Sequence, residues 1–142
     1  MIRKMNTVEV DTLVSLWFKS SVKAHNFIPE DFWQSQILAM KESYLPNSDT
    51  YIYEENNHIL GFISYHQGFV PALFVSPNAQ SQGVGSKLLN FIKQRHNQLQ
   101  LAVYVQNHRA HSFYQSQGFK DFDRQLCEQT EHEEILMEWR KT

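Results

Sequence analysis

Leu73-Phe74-Val75-Ser76-Pro77-Asn78-Ala79-Gln80-Ser81-Gln82-Gly83-Val84-Gly85-Ser86-Lys87 decides how the rest of the chain reads. An apolar strand pattern ends at Val75. Ser76 to Ala79 is turn chemistry, and from Gly83 the spacing becomes helical, with Val84, Leu88, Phe91 and Ile92 on one stripe. A glycine-bearing loop that opens a helix presents unpaired backbone N–H groups at the positive end of the helix dipole. That arrangement suits a phosphate or pyrophosphate. Gly83 and Gly85 let the backbone approach an anion without a Cβ in the way, and Lys87 adds a positive charge nearby. A turn that merely uses glycines has the same spacing. Two other phosphate loops do not fit: Walker A requires Gly-Lys-Ser/Thr where Gly85-Ser86-Lys87 stands, and the dinucleotide fingerprint requires a third glycine where Leu88 stands.

Outward from this loop, Ile2 to Met5 suits an edge strand. Val10, Leu13, Val14 and Trp17 form a helical stripe, with Thr7 as N-cap. A second helical pattern covers Asp31 to Tyr44, bracketed by Pro29 and Pro46. Tyr51 to Tyr53 and Ile59 to Tyr65 read as strands joined by a turn on Asn56-Asn57. The strand Phe69 to Val75 contains Pro71, which removes a ladder donor and predicts a bulge or splay there. Leu99, Leu101 and Val103 alternate as in a half-buried strand. A helix follows from Asn107, a good N-cap, to Gln117, with Gly118 as its stop. Extended segments around Phe119 to Phe122 and Glu134 to Trp139 close the chain. This order predicts an α/β protein with a mixed sheet rather than strict βα alternation.

The chain has 142 residues, 42% hydrophobic and 20% charged, which predicts one domain (1-142) with a core that needs no disulfide or metal. The formal net charge of −2 argues against a nucleic-acid binder. The acidic cluster Glu131 to Glu134 around His132 reads as a solvated turn or strand edge. Cys127 is the only cysteine, so the expected compartment is reducing, and its thiol reads as inert and partly buried. The N-terminus lacks the apolar run of a signal peptide, and no stretch reaches the roughly 20 apolar residues of a membrane span, which predicts a soluble cytoplasmic protein.

Val75-x-Pro77-x-x-Gln80-x-x-Gly83-x-Gly85 followed by Leu88-Leu89 resembles motif A of the GNAT acetyltransferase superfamily, whose core is Arg/Gln-x-x-Gly-x-Gly/Ala. Asn107-His108-Arg109-Ala110-His111-Ser112-Phe113-Tyr114 through Gly118-Phe119 resembles its motif B. The gap between them holds one helix and one strand, as in that family. The segment Ala24-His25-Asn26-Phe27-Ile28 ahead of Phe32-Trp33 is similar to the small bacterial YjaB/YiaC-type members.

The resemblance implies a predominantly antiparallel sheet with a splayed central strand pair and flanking helices. It also implies transfer of an acetyl group from acetyl-CoA, as co-substrate, to a primary amine: a protein lysine, an N-terminus or a small molecule. Gln80 to Lys87, chiefly the amides of Gln82 to Ser86, would bind the CoA pyrophosphate. Leu73, Phe74 and Val75 would run along the pantetheine, Asn107 would hydrogen-bond it, and Tyr114 would protonate the departing thiolate. Gln80 replaces the commoner arginine and Ser81 the frequent glycine, which implies a weaker electrostatic hold.

Read from the residues alone, Tyr114 could equally pack beside Ala110 and Phe113. A lysine acceptor has an unperturbed pKa of about 10.4, so its deprotonation at pH 7 costs roughly 4.6 kcal/mol, and a base or water chain has to offset part of it. Many family members place a glutamate on the strand that here reads Phe69 to Leu73, and this chain has none there. Glu54, Glu55, His25 and His66 are the candidates for that role. His25, Phe27, Trp33 and Phe69 are candidates to wall the acceptor site. His108 and His111 lack a third ligand, so no metal is expected. The missing glutamate leaves a non-catalytic acyl-CoA-binding or sensing module as the alternative. The expected assembly is a monomer or homodimer.

Overall fold

The computed structural model describes residues 1–142. Seven strands form one sheet in the order β1-β2-β3-β4-β5-β7-β6. They are β1 (Ile2–Lys4), β2 (Asp49–Glu55), β3 (His58–His66), β4 (Phe69–Val75), β5 (Gln98–Tyr104), β6 (Lys120–Cys127) and β7 (His132–Arg140). The helices are α1 (Val10–Ala24), α2 (Glu30–Ser35), α3 (Ile37–Ala39), α4 (Leu45–Asn47), α5 (Val84–Lys93) and α6 (His108–Ser116). No helix is long and apolar enough to cross a membrane.

Period-2 alternation sends the strands' apolar residues to both faces of the sheet. Ile52, Phe62 and Ala72 meet Leu13, Val14, Trp17, Trp33, Met40 and Leu45 on the α1–α4 side. Ile63, Leu99, Leu101, Val103, Ile135 and Met137 meet Leu88, Leu89 and Ile92 on the α5 side. Asn56 and Asn57 both have positive φ (52° and 64°), as the two-residue turn between β2 and β3 requires.

Every pair is antiparallel except β4–β5, which is parallel and meets only at Phe69↔Gln100. Beyond that point the two strands diverge. The β3–β4 register also shifts between Ser64 and His66, opposite the stretch that contains Pro71, as a strand proline predicts. The splayed central pair is therefore present.

Three details differ from the expectations. Thr7 is not an N-cap: it opens a 3₁₀ turn (Thr7–Glu9), and the Asn6 amide donates to the Glu9 carboxylate at 2.8 Å. Glu9 also pairs with Arg3 at 2.7 Å, which fixes it in that position. The helix expected over Asp31 to Tyr44 is broken at Gln36 and passes through a π-helical turn, Met40–Tyr44, into α4 with Pro46 inside it. A proline ring clashes with the carbonyl four residues earlier in an α ladder. Here the ladder is wider, with the Leu45 N–H donating to Met40 O. Finally, β6 is longer than its apolar residues suggest, because it is an exposed, largely polar edge strand that shows no alternation.

Candidate active site

The divergence of β4 and β5 opens a cleft of about 800 Å³. Val70 to Val75 border it on one side, Ala102, Val103, Tyr104 and Asn107 on the other, and the loop before α5 closes one end.

The loop is shaped by hydrogen bonds between near neighbours in the chain. The Ala79 amide donates to Ser76 O at 2.8 Å, and Gln80 Nε2 reaches back to Val75 O at 3.4 Å. Gly83 has φ 79° and ψ 10°, a left-handed conformation that favours glycine, and acts as the N-cap of α5. Ser81, at the position where the family often has glycine, is also left-handed, with φ 71°. The first ladder bond of α5 runs from the Lys87 amide to Gly83 O at 3.0 Å, so the amides of Gly83, Val84, Gly85 and Ser86 donate to nothing in the protein. A Cβ on Gly85 would lie 3.3 Å from Phe113 Cζ, so this glycine lets α5 sit close against α6.

Leu73, Phe74, Val75, Gln80, Ser81, Gly83, Val84, Gly85, Ser86, Asn107 and Tyr114 all border the cleft, and Gln82 and Lys87 do not. The Lys87 ammonium instead donates to Tyr53 Oη at 3.4 Å, behind the loop. The cations at the cleft are Lys23, from the end of α1, and Arg109, from the start of α6. Nothing in their sequence surroundings marks either residue.

Tyr114 projects from α6 with its ring against Phe113 and Phe119, at centroid distances of 5.3 and 5.7 Å. The residue is partly covered. Its hydroxyl has no hydrogen-bond partner in the protein, and its apolar surroundings push its pKa well up. A phenol raised in this way stays protonated at neutral pH and can only give its proton away to a strong base.

On the far side of the cleft, His25 is 8% exposed and stacks on Trp33, with ring centroids 5.2 Å apart. Asn107 Oδ1 accepts the Ala110 N–H at 3.2 Å, which caps α6 as expected. Its Nδ2 is then left to donate to His25 Nε2, 3.1 Å away, which puts the His25 proton on Nδ1. Burial pushes the His25 pKa down to about 4, against a weaker opposing effect of the Ser21 carbonyl. This histidine is neutral, and its only lone pair is already used. Ser20 Oγ, Ser21 Oγ, His25 Nδ1 and Trp33 Nε1 are the buried side-chain polar atoms without a partner, and all four residues border the cleft.

The other sequence candidates are placed less centrally. Phe27 packs behind the cleft on Tyr104 and His132, and Phe69 stands at the closed end where β4 meets β5. Glu54 pairs with Arg3 at 3.1 Å, Glu55 adjoins the β2–β3 turn and His66 ends β3; none borders the cleft. The one carboxylate that does is Glu134 of β7, opposite Tyr104 of β5 in register. It also borders the adjoining cavity lined by Phe32, Trp33, Pro71 and Cys127. The expected solvated edge therefore holds for the turn at Glu131 but not for Glu134.

Residues 46–121 match the acetyltransferase (GNAT) domain model. The chain belongs to the GNAT acetyltransferases. The peptidyl-lysine N-acetyltransferase YiaC of Escherichia coli (strain K12) is 36% identical over 140 residues, covering 98% of this chain and 96% of that protein. The peptidyl-lysine N-acetyltransferase YjaB of the same organism is 28% identical over 120 residues, covering 84% of this chain and 81% of that protein. The fold agrees with the solution structure of apo YjaB from E. coli (TM-score 0.87, 23% identity, 98% of this chain and 96% of that one). It agrees also with the crystal structure of PaiA N-acetyltransferase from Thermoplasma acidophilum in complex with coenzyme A (TM-score 0.84, 22% identity, 99% of this chain and 98% of that one). This chain is accordingly an acetyl-CoA-dependent N-acetyltransferase. The expected resemblance, down to the YjaB/YiaC-type members, is borne out.

Proposed function

We propose that this enzyme acetylates the ε-amine of lysine in proteins, working in the cytoplasm as one folded domain. The observation that carries the site assignment is the row of free amides from Gly83 to Ser86 at the end of an open strand pair. They would hold the pyrophosphate, with Gln80, Ser81, Gln82 and Val84 shaping the loop and Lys87 adding its field from behind. Leu73, Phe74 and Val75 would offer main-chain groups to the pantetheine, together with the remaining N–H of Asn107. Tyr114 would give its proton to the departing sulfur. His25 and Trp33 would wall the acceptor side, with Phe27 and Phe69 supporting them. The peptidyl-lysine acceptor is supported by the activity named for the YiaC relative. The reducing compartment is supported by the single cysteine, Cys127, which has no partner for a disulfide.

The test is CoA release with a panel of lysine-containing peptides, each with a blocked N-terminus, alongside peptides whose only amine is the N-terminus. Tyr114→Phe is expected to lower kcat by about 10²-fold, the usual size of a lost proton donor, and to keep acetyl-CoA affinity. Turnover of N-terminal amines alone would overturn the lysine assignment. Full activity in Tyr114→Phe would overturn its role.

A further inference from the structure

Neither strand that frames the cleft carries an acid. β4 reads Phe69-Val70-Pro71-Ala72-Leu73-Phe74-Val75, and β5 reads Gln98-Leu99-Gln100-Leu101-Ala102-Val103-Tyr104. The acceptor ammonium nevertheless has to lose a proton before nitrogen can attack. Among the titratable groups at the cleft, His25 is neutral with its lone pair taken by Asn107, and the phenols of Tyr104 and Tyr114 are held protonated by burial. Lys23 and Arg109 are cations. Cys127 borders only the adjoining cavity, where it accepts from Tyr104 Oη at 3.6 Å.

We propose that Glu134, one strand beyond the cleft's own pair, is the group that receives the acceptor ammonium and takes its proton. Three observations converge on it. It borders both the cleft and the adjoining cavity, so it stands where the two spaces join. Its backbone is in register with Tyr104, at the open ends of the strands, and cross-strand partners project to the same face. Gln125 Nε2 donates to Oε1 at 3.0 Å, which leaves Oε2 without a partner in the protein. A carboxylate oriented by a neutral amide, with one oxygen free, suits a primary ammonium.

The proton balance closes without a further reactant. The Glu134 carboxylate takes one proton from the acceptor ammonium and passes it to solvent. The freed nitrogen lone pair forms the bond to the acetyl carbon while the carbon–sulfur bond breaks, its electron pair staying on sulfur. Tyr114 gives its proton to that sulfur and recovers one from the new amide nitrogen. The net products are the amide, the thiol and one proton.

This inference rests on the amine-acetylation reading above, and the experiment separates the two. Glu134→Gln keeps the hydrogen bond from Gln125 and is expected to fold. Wild type, Glu134→Gln and Cys127→Ser are assayed with acetyl-CoA and a blocked lysine peptide. They are also assayed with the same peptide carrying an aminooxy isostere of lysine, whose amine is already neutral at pH 7. Glu134→Gln is expected to lose about 10²-fold in kcat on the lysine peptide, to stay close to wild type on the aminooxy peptide, and to keep its KM for acetyl-CoA. Cys127→Ser is expected to match wild type on both. Equal losses of Glu134→Gln on the two peptides, no loss on either, or a lysine-selective loss in Cys127→Ser would each overturn the role of Glu134. If wild type turns over neither peptide while binding acetyl-CoA, the lysine reading falls and this inference with it.

Discussion

Asn107 ties the start of α6 to the end of α1: its Nδ2 lies 3.1 Å from His25 Nε2 while its Oδ1 caps the Ala110 amide at 3.2 Å. One side chain thus holds two walls of the cleft together and sets the tautomer of a buried histidine. Asn107→Ala should cost about 1–2 kcal/mol, from the lost cap and the orphaned His25 nitrogen together, measured by urea unfolding.

Because burial holds His25 near pKa 4 against 6.5 when unfolded, the unfolded chain binds more protons between those values. Stability is therefore expected to fall as the pH drops from 6.5 towards 4, by at most about 3 kcal/mol at the lower end. Thermal unfolding across this range should show a shallower fall for His25→Asn than for wild type. Asn107→Asp should also make it shallower, since a carboxylate beside the ring raises its folded pKa towards the unfolded value.

Gly83→Ala tests the loop's backbone separately from its contacts. No atom lies within 4 Å of the Cβ it would gain, so the penalty is conformational, at φ 79°. Destabilisation of about 1–2 kcal/mol is expected, with weaker acetyl-CoA binding by calorimetry as the amides tilt. Gly61→Ala should do more damage, because its Cβ would lie 2.7 Å from Phe74 O and push β3 from β4 beside the cleft.

Thr50 Oγ1 and Ser64 Oγ share a buried 2.8 Å hydrogen bond between β2 and β3. Thr50→Val should destabilise by about 1–3 kcal/mol by stranding the serine hydroxyl. Adding Ser64→Ala should recover most of that loss, read by the same unfolding midpoint.

The site was legible wherever its chemistry lies in one contiguous run. The Gly83–Gly85 loop and the Asn107 cap are local backbone devices, and their residue types announce them. Glu134 was not legible, because its importance comes from register with Tyr104, thirty positions earlier in the chain and two strands by sequence order. A charged residue beside a turn carries no local sign of what it faces. Likewise, Pro46 reads as a helix stop, because nothing in the sequence shows that the Met40–Tyr44 turn is wide enough to admit its ring. The edge strand β6 reads short because both its faces are wet, and periodicity reports only burial contrast.

The single contact between Phe69 and Gln100 has one more consequence. Sheets normally leave their unpaired main-chain groups at the rim, where any neighbouring chain can add to them. Here the facing edges of β4 and β5 lie inside the molecule, sheltered by α1 on one flank and α5 and α6 on the others. The unpaired strand edges thus lie within the molecule, away from the rim where another sheet could pair with them.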